Sequence, residues 1–205
     1  LIGVDARQIQ AIVVSHEHSD HVAGIPNFSK RYGCRVLANG ATREYSKELQ
    51  SVPHTHFHEF AVGEWFEEGE LRIEPFAIVH DAADPVAFRI TYEDSRLGIL
   101  TDLGQLTELV KDRVRDLDAL VIESNHDIEL LQCSAYPWSL KQRIRSRFGH
   151  LSNETAGSLL AELHDGRRRP LKNVIAAHIS ENRPLRRLRF TDHRRSMHYR
   201  VAVEC

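Results

Sequence analysis

The chain has 205 residues and a mass of 23.5 kDa, enough to bury a sizeable core without staples. Hydrophobic residues make up 41% and charged residues 27%, and no run approaches the roughly 18 apolar residues of a spanning helix, which excludes disordered, collagen-like and helix-spanning membrane classes. The formal charge of −2 hides an asymmetry, because residues 1–140 carry 12 basic and 23 acidic side chains while residues 141–205 carry 15 and 6; the C-terminal part suits either a polyanionic partner or a solvated Arg-rich surface.

In chain order, the apolar run at residues 9–15 predicts a buried strand. Residues 22–32 predict a helix that stops at Gly33, residues 35–37 a brief strand, and residues 42–49 a second helix. Residues 71–79 and 86–92 read as strands, and Glu93, Asp94 and Ser95 as a hairpin turn into a strand over 97–101. A helix over 105–114, a strand over 119–123, helices over 139–147 and 153–164 and a buried strand over 174–177 follow. Asp127 fits the cap of a short helix, and Trp65 and Phe66 fit core or hairpin packing. Strands in two batches, each followed by helices, predict a layered α/β sandwich forming one domain over residues 1–205. Residues 183–200 hold seven arginines with His193 and His198; a terminal edge strand and a disordered basic arm are both open readings there.

Cys34, Cys133 and Cys205 share no CxxC spacing, which suits a reducing compartment, expected to be the cytoplasm, and excludes a four-cysteine zinc site. Histidine is abundant, with 13 residues against the single Met197. Six consecutive residues, His16-Glu17-His18-Ser19-Asp20-His21, stand directly after the first strand. Buried without partners, so many polar groups would be costly, so core packing does not explain them. Residues two apart at a strand end point the same way, so His16 and His18 can share one ion, and a turn brings Asp20 and His21 to a second. Imidazole with carboxylate and no thiolate suits zinc, manganese or iron and disfavours a closed structural site. By contrast, His54, His56 and His58 alternate as along one strand face but lack a carboxylate in step, so they read as a surface strand.

The His-x-His-x-Asp-His pattern resembles the metallo-β-lactamase fold superfamily. That resemblance implies an αββα sandwich, here lacking its first strands, since the family opens with strands and a Gly/Ser-rich turn that do not precede this cluster. It also implies further ligands, each just beyond a predicted strand: His80, Asp102 in Thr-Asp-Leu-Gly, and His178 in Ala-His-Ile-Ser. His16, His18 and His80 would hold one ion and Asp20, His21 and His178 the other, with Asp102 bridging. Four later motifs, His80-Asp81-Ala82-Ala83-Asp84-Pro85, Glu123-Ser124-Asn125-His126-Asp127, Tyr136-Pro137-Trp138-Ser139-Leu140-Lys141-Gln142-Arg143 and Gly149-His150-Leu151-Ser152-Asn153-Glu154, look like the YycJ/WalJ group, regarded as DNA exonucleases.

The expected activity is therefore a dinuclear metal-dependent phosphodiesterase acting on DNA, with two divalent ions (zinc or manganese, or iron) as cofactors. Asp20 would orient the attacking water. His150 resembles the histidine of ribonuclease Z relatives that assists at the scissile phosphate, and the helix start at Ser152 or Asn153 would offer backbone N–H groups to that phosphate. Asn125 and His126 are expected to support a ligand from behind. Lys141, Arg143, Arg145 and Arg147 are the leading candidates for nucleic-acid contacts, ahead of Arg167, Arg168 and Arg169. The alternatives are a small-molecule hydrolase, of the cyclic phosphodiesterase or glyoxalase II thioesterase type, and a metal-binding module without catalysis.

Overall fold

A computed structural model describes residues 3–165, 171–180 and 201–203. The chain divides into two compact units, Leu1–Ala77 with Ala82–Val86, and Ile78–Asp81 with Ala87–Cys205.

In the first unit, β1 (Ala11–Val13) leads through α1 (Ser19–Val22) and α2 (Ile25–Tyr32) to β2 (Arg35–Ala38). The single helix expected over 22–32 is two pieces. Gly24 and Pro26 interrupt it, since a proline ring lacks the N–H a helix interior needs but fits a first turn. Gly33 stops α2 as expected, with φ of 66°. The next expected helix is also divided, into α3 (Gly40–Glu44) and α4 (Lys47–Gln50), because Ser46 restarts the chain by accepting the Leu49 N–H. β3 (Phe57–Glu59) follows, and β1, β2 and β3 form a parallel three-stranded sheet in that order. Val14, Val22, Ile25, Val36, Leu49, Val52 and Phe57 make one buried cluster around it. β4 (Phe66–Glu68) and β5 (Leu71–Ala77) pair as an antiparallel hairpin. Phe66 stacks on Phe60 with centroids 5.4 Å apart, whereas Trp65 is 52% exposed beneath the Arg72 guanidinium.

The second unit contains β6 (Val86–Tyr92, from Ala87 on) and β7 (Ser95–Leu100), joined by the Glu93-Asp94 turn. Glu93 takes a φ of 48°, as a tight hairpin turn requires. Then come α5 (Glu108–Arg113), capped by Thr107, and β8 (Ala119–Glu123). α6 (Ile128–Cys133) starts at the Asp127 cap and is followed by α7 (Trp138–Arg145), α8 (Asn153–Asp165), β9 (Asn173–Ala177) and β10 (Val201–Val203). β7, β8, β9 and β10 are parallel neighbours in that order, so the residues just beyond β7, β8 and β9 emerge at one edge. Leu100, Leu103, Leu117, Leu120, Ile122, Leu159 and Val174 are fully or nearly fully buried. Gly98 in β7 leaves the space that the Leu117 and Leu120 side chains occupy. The tail between 183 and 200 and Arg167, Arg168 and Arg169 lie outside the described residues.

No helix of the described residues is long and apolar enough to cross a membrane. Replacing Leu49, fully buried in the first core, with alanine is expected to cost about 3 kcal/mol of stability; a urea midpoint unchanged from wild type would contradict that packing.

Candidate metal centre

The first group of donors stands at the exit of β1. Val14 N–H still donates to Leu37 O at 2.9 Å, and Ser15 O accepts the Val86 N–H at 3.0 Å, which anchors the start of the loop. His16 is fully buried. Its ring lies against those of His18 and His21, with centroids 4.6 and 4.2 Å away. Ser15 Oγ is 3.0 Å from His16 Nδ1 and 3.5 Å from His21 Nδ1. Glu17 turns elsewhere and accepts the Ala83 N–H at 2.8 Å. α1 begins immediately: His18 O accepts the N–H groups of His21 and Val22, which folds His21 back toward His16. Asp20 Oδ2 is exposed and 3.7 Å from His21 Nε2.

The second group gathers at the strand edge of the other unit. His80 is buried, and its Nδ1 donates to the Gly149 carbonyl at 3.1 Å. Its Nε2 is 3.9 Å from Asp102 Oδ1 and 3.3 Å from Asp81 Oδ1. Asp102 lies just beyond β7, 1% exposed, with φ of 59°. His178 follows β9 with φ of 52° and sets its Nε2 3.2 Å from Asp102 Oδ1. The His150 ring is 5.2 Å from that of His80 and 5.0 Å from that of His178.

Glu123, the last residue of β8, ties this group together. Its Oε1 accepts from His150 Nδ1 and from His178 Nδ1, each at 2.8 Å. Its Oε2 accepts the N–H groups of Leu103 at 3.0 Å and Leu151 at 3.1 Å. Burial pushes this carboxyl upward, but the hydrogen bonds from His150 and His178 outweigh it and hold the group below the ordinary glutamate value. Burial also lowers the pKa of His80, keeping that imidazole neutral and able to ligate. Asp102, Glu123, His150 and His178 offer donor atoms that all lie within 4.8 Å of one another. Neutral imidazoles with carboxylates and no thiolate are the donor set of a divalent metal ion.

Asn125 Nδ2 donates to His178 O at 3.0 Å, bracing a backbone position that favours glycine. His126 is buried, its Nδ1 has no hydrogen-bond partner among the described residues, and its carbonyl accepts the Asn153 N–H at 2.8 Å. Three backbone N–H groups around the start of α8 are already engaged. Asn153 N–H is taken by His126, Thr155 N–H by Ser152 Oγ and Leu151 N–H by Glu123. Among the basic candidates, Lys141 Nζ donates to the carbonyls of Gln132 and Ser134, both at 2.7 Å. Arg143 Nε is 2.7 Å from Asp81 Oδ2. Arg145 is exposed in the last turn of α7, and Arg147 lies over the Phe148 ring. His54, His56 and His58 do not share a strand face: only His58 lies in β3, while His56 meets Ser29 Oγ and His54 meets Arg43.

Residues 3–179 match the family model described as "Beta-lactamase superfamily domain", and the chain belongs to that family. Within it, the chain is 35% identical over 183 residues to the exodeoxyribonuclease WalJ of Streptococcus pneumoniae, covering 88% of this chain and 67% of that protein. It is 32% identical over 186 residues to the exodeoxyribonuclease YycJ of Bacillus anthracis, covering 90% of this chain and 69% of the relative. The metallo-β-lactamase fold protein YhfI of Bacillus subtilis shares the fold, with a TM-score of 0.66 at 19% identity over 87% of this chain and 68% of that one.

Glu123 carries no role in the sequence reading, although it stands in a recognised motif; the signal was an acid closing an otherwise apolar strand. Glu123→Gln is expected to leave a folded protein, by circular dichroism, while metal affinity falls roughly 10- to 100-fold. Metal affinity equal to wild type in a titration would remove Glu123 from the site.

Proposed function

We propose that the chain is a metal-dependent exodeoxyribonuclease that hydrolyses phosphodiester bonds. One observation carries this reading: Asp102 Oδ1 stands 3.2 Å from His178 Nε2 and 3.9 Å from His80 Nε2, so a buried carboxylate and two imidazoles could together hold a divalent ion. Membership of the superfamily and the likeness to WalJ and YycJ support the choice of reaction and of DNA as substrate. By motif order, His16, His18 and His80 would hold one ion and Asp20, His21 and His178 a second, with Asp102 shared; imidazole with carboxylate suits zinc, manganese or iron. Cys34 and Cys133 as free thiols fit a cytoplasmic setting.

Bound divalent ions supply Lewis-acid activation of water and neutralise phosphoryl charge. The protein's own groups do the rest. Asp20 would accept a hydrogen bond from the attacking water and so orient its lone pair toward phosphorus. His150 has its Nδ1 committed to Glu123, which leaves Nε2 to hydrogen-bond a phosphoryl oxygen or to protonate the leaving oxygen. Arg145 and Arg147, both exposed, are the basic groups most available to the backbone, whereas Arg143 must first leave Asp81.

Chelator treatment is expected to abolish shortening of end-labelled DNA, and added zinc or manganese to restore it. His18→Ala and Asp102→Ala should each eliminate turnover while retaining secondary structure, and full activity in either would defeat the scheme.

Ionic strength separates the nuclease from a small-molecule hydrolase that would use the same donors. If a few phosphates are neutralised, DNA affinity should weaken roughly tenfold between 50 and 200 mM salt. Salt-insensitive catalysis of a small phosphodiester or thioester, with no DNA cleavage, would establish the alternative.

A further inference from the structure

Phe148 stands on a turn whose backbone is fixed on every side. Its N–H donates to Ser146 Oγ at 3.2 Å, and its carbonyl accepts the Asp81 N–H at 3.1 Å. Gly149 N–H donates to Ser146 O at 2.9 Å, and His150 N–H donates to Ile144 O at 3.0 Å. A side chain at position 149 would run into the carbonyls of Arg143 and Ile144, so only glycine lets the chain pass there. Yet the Phe148 residue is left 43% exposed, and the Arg147 guanidinium carbon lies 4.4 Å from the ring centroid.

Exposure alone would mean little, since single apolar side chains are common on surfaces. Position distinguishes this one. Phe148 is two residues from His150, and its carbonyl holds the residue that follows His80. The guanidinium lies over one face of the ring, and the stacked pair has the two parts of a single-strand binding platform: flat surfaces, guanidinium plane and ring, on which a base stacks, and a cation for the adjoining phosphate. Every base has a π-face, so such a platform accepts any sequence.

Building on the nuclease reading, we infer that Phe148 and Arg147 form the platform for the nucleobase next to the scissile phosphate. The substrate end is therefore unpaired, either a single strand or a frayed terminus. A base still stacked within a duplex has no free face to offer and must leave the stack first.

The test uses the metal-loaded protein with Phe148→Ala, Phe148→Leu and Phe148→Trp. The readouts are steady-state cleavage of a single-stranded oligonucleotide and anisotropy with a labelled, non-hydrolysable phosphorothioate analogue. Alanine and leucine should raise KM and Kd roughly tenfold with kcat changed by less than about twofold, and tryptophan should retain wild-type values. An oligonucleotide abasic at its terminal position should show no difference among the variants. Unchanged KM and Kd in the alanine and leucine variants, or an equal loss on the abasic strand, would overturn the platform and leave the nuclease reading standing. If wild type hydrolyses bis(p-nitrophenyl) phosphate but no oligonucleotide, the nuclease reading itself falls and the platform with it.

Discussion

A carboxylate buried at the end of β8 organises the second group of donors. Taking a charged group out of water costs several kcal/mol unless hydrogen bonds replace its hydration. Glu123 receives four, two from imidazoles and two from backbone N–H groups, and is fully buried as a result without being left unsatisfied. Because the carboxylate stays ionised, both imidazoles facing it must carry their proton on Nδ1. That fixes the tautomer of His178, whose Nε2 lone pair faces Asp102, and that of His150. One side chain thus couples the exit of β7, the turn before α8 and the exit of β9.

The same coupling explains two backbone positions that ordinary residues avoid. Asp102 and His178 both have positive φ, in the left-handed region where a side chain crowds its own backbone, at a cost of order 1 kcal/mol or more each. Such conformations persist where neighbours over-determine them. Leu103, immediately after Asp102, is pinned to Glu123, and the carbonyl of His178 is pinned by Asn125. The strain turns each side chain out of its strand direction and into the cluster, so that Asp102 and His178 meet at 3.2 Å.

Legibility in the sequence followed the range of the interactions involved. The bounds predicted for β6 and β8 match, because the Glu93-Asp94-Ser95 turn signal and an apolar run are local features. The helices predicted over 22–32 and 42–49 are each divided in two, because periodicity ignores what Pro26 and Ser46 do to single turns. The His16 to His21 cluster was visible because its density has no packing explanation. Glu123 was not, since an acid ending a strand reads as a solvated turn until the groups around it are known, and these come from 20 to 55 residues away. A still longer separation hid the partner of Arg143: Asp81 is 62 residues away. The face shared by His54, His56 and His58 failed because the strand begins only at Phe57.

The imidazoles share a further regularity that bears on how a metal is admitted. His80 gives its Nδ1 proton to a carbonyl and His178 gives its own to a carboxylate, both strictly accepting groups, while His16 sets its Nδ1 against a serine hydroxyl. For His80 and His178 the nitrogen turned toward Asp102 is Nε2. A histidine free in solution divides itself between two tautomers and many rotamers, and a metal ion must select one combination at each imidazole it binds. Here the selection is made by acceptors that belong to the fold, and burial lowers the affinity of His80 for a competing proton. The entropy of assembling the donors is therefore met during folding, by hydrogen bonds that exist without the ion. An imidazole's orientation therefore depends on the group behind it, as that of His178 depends on Glu123.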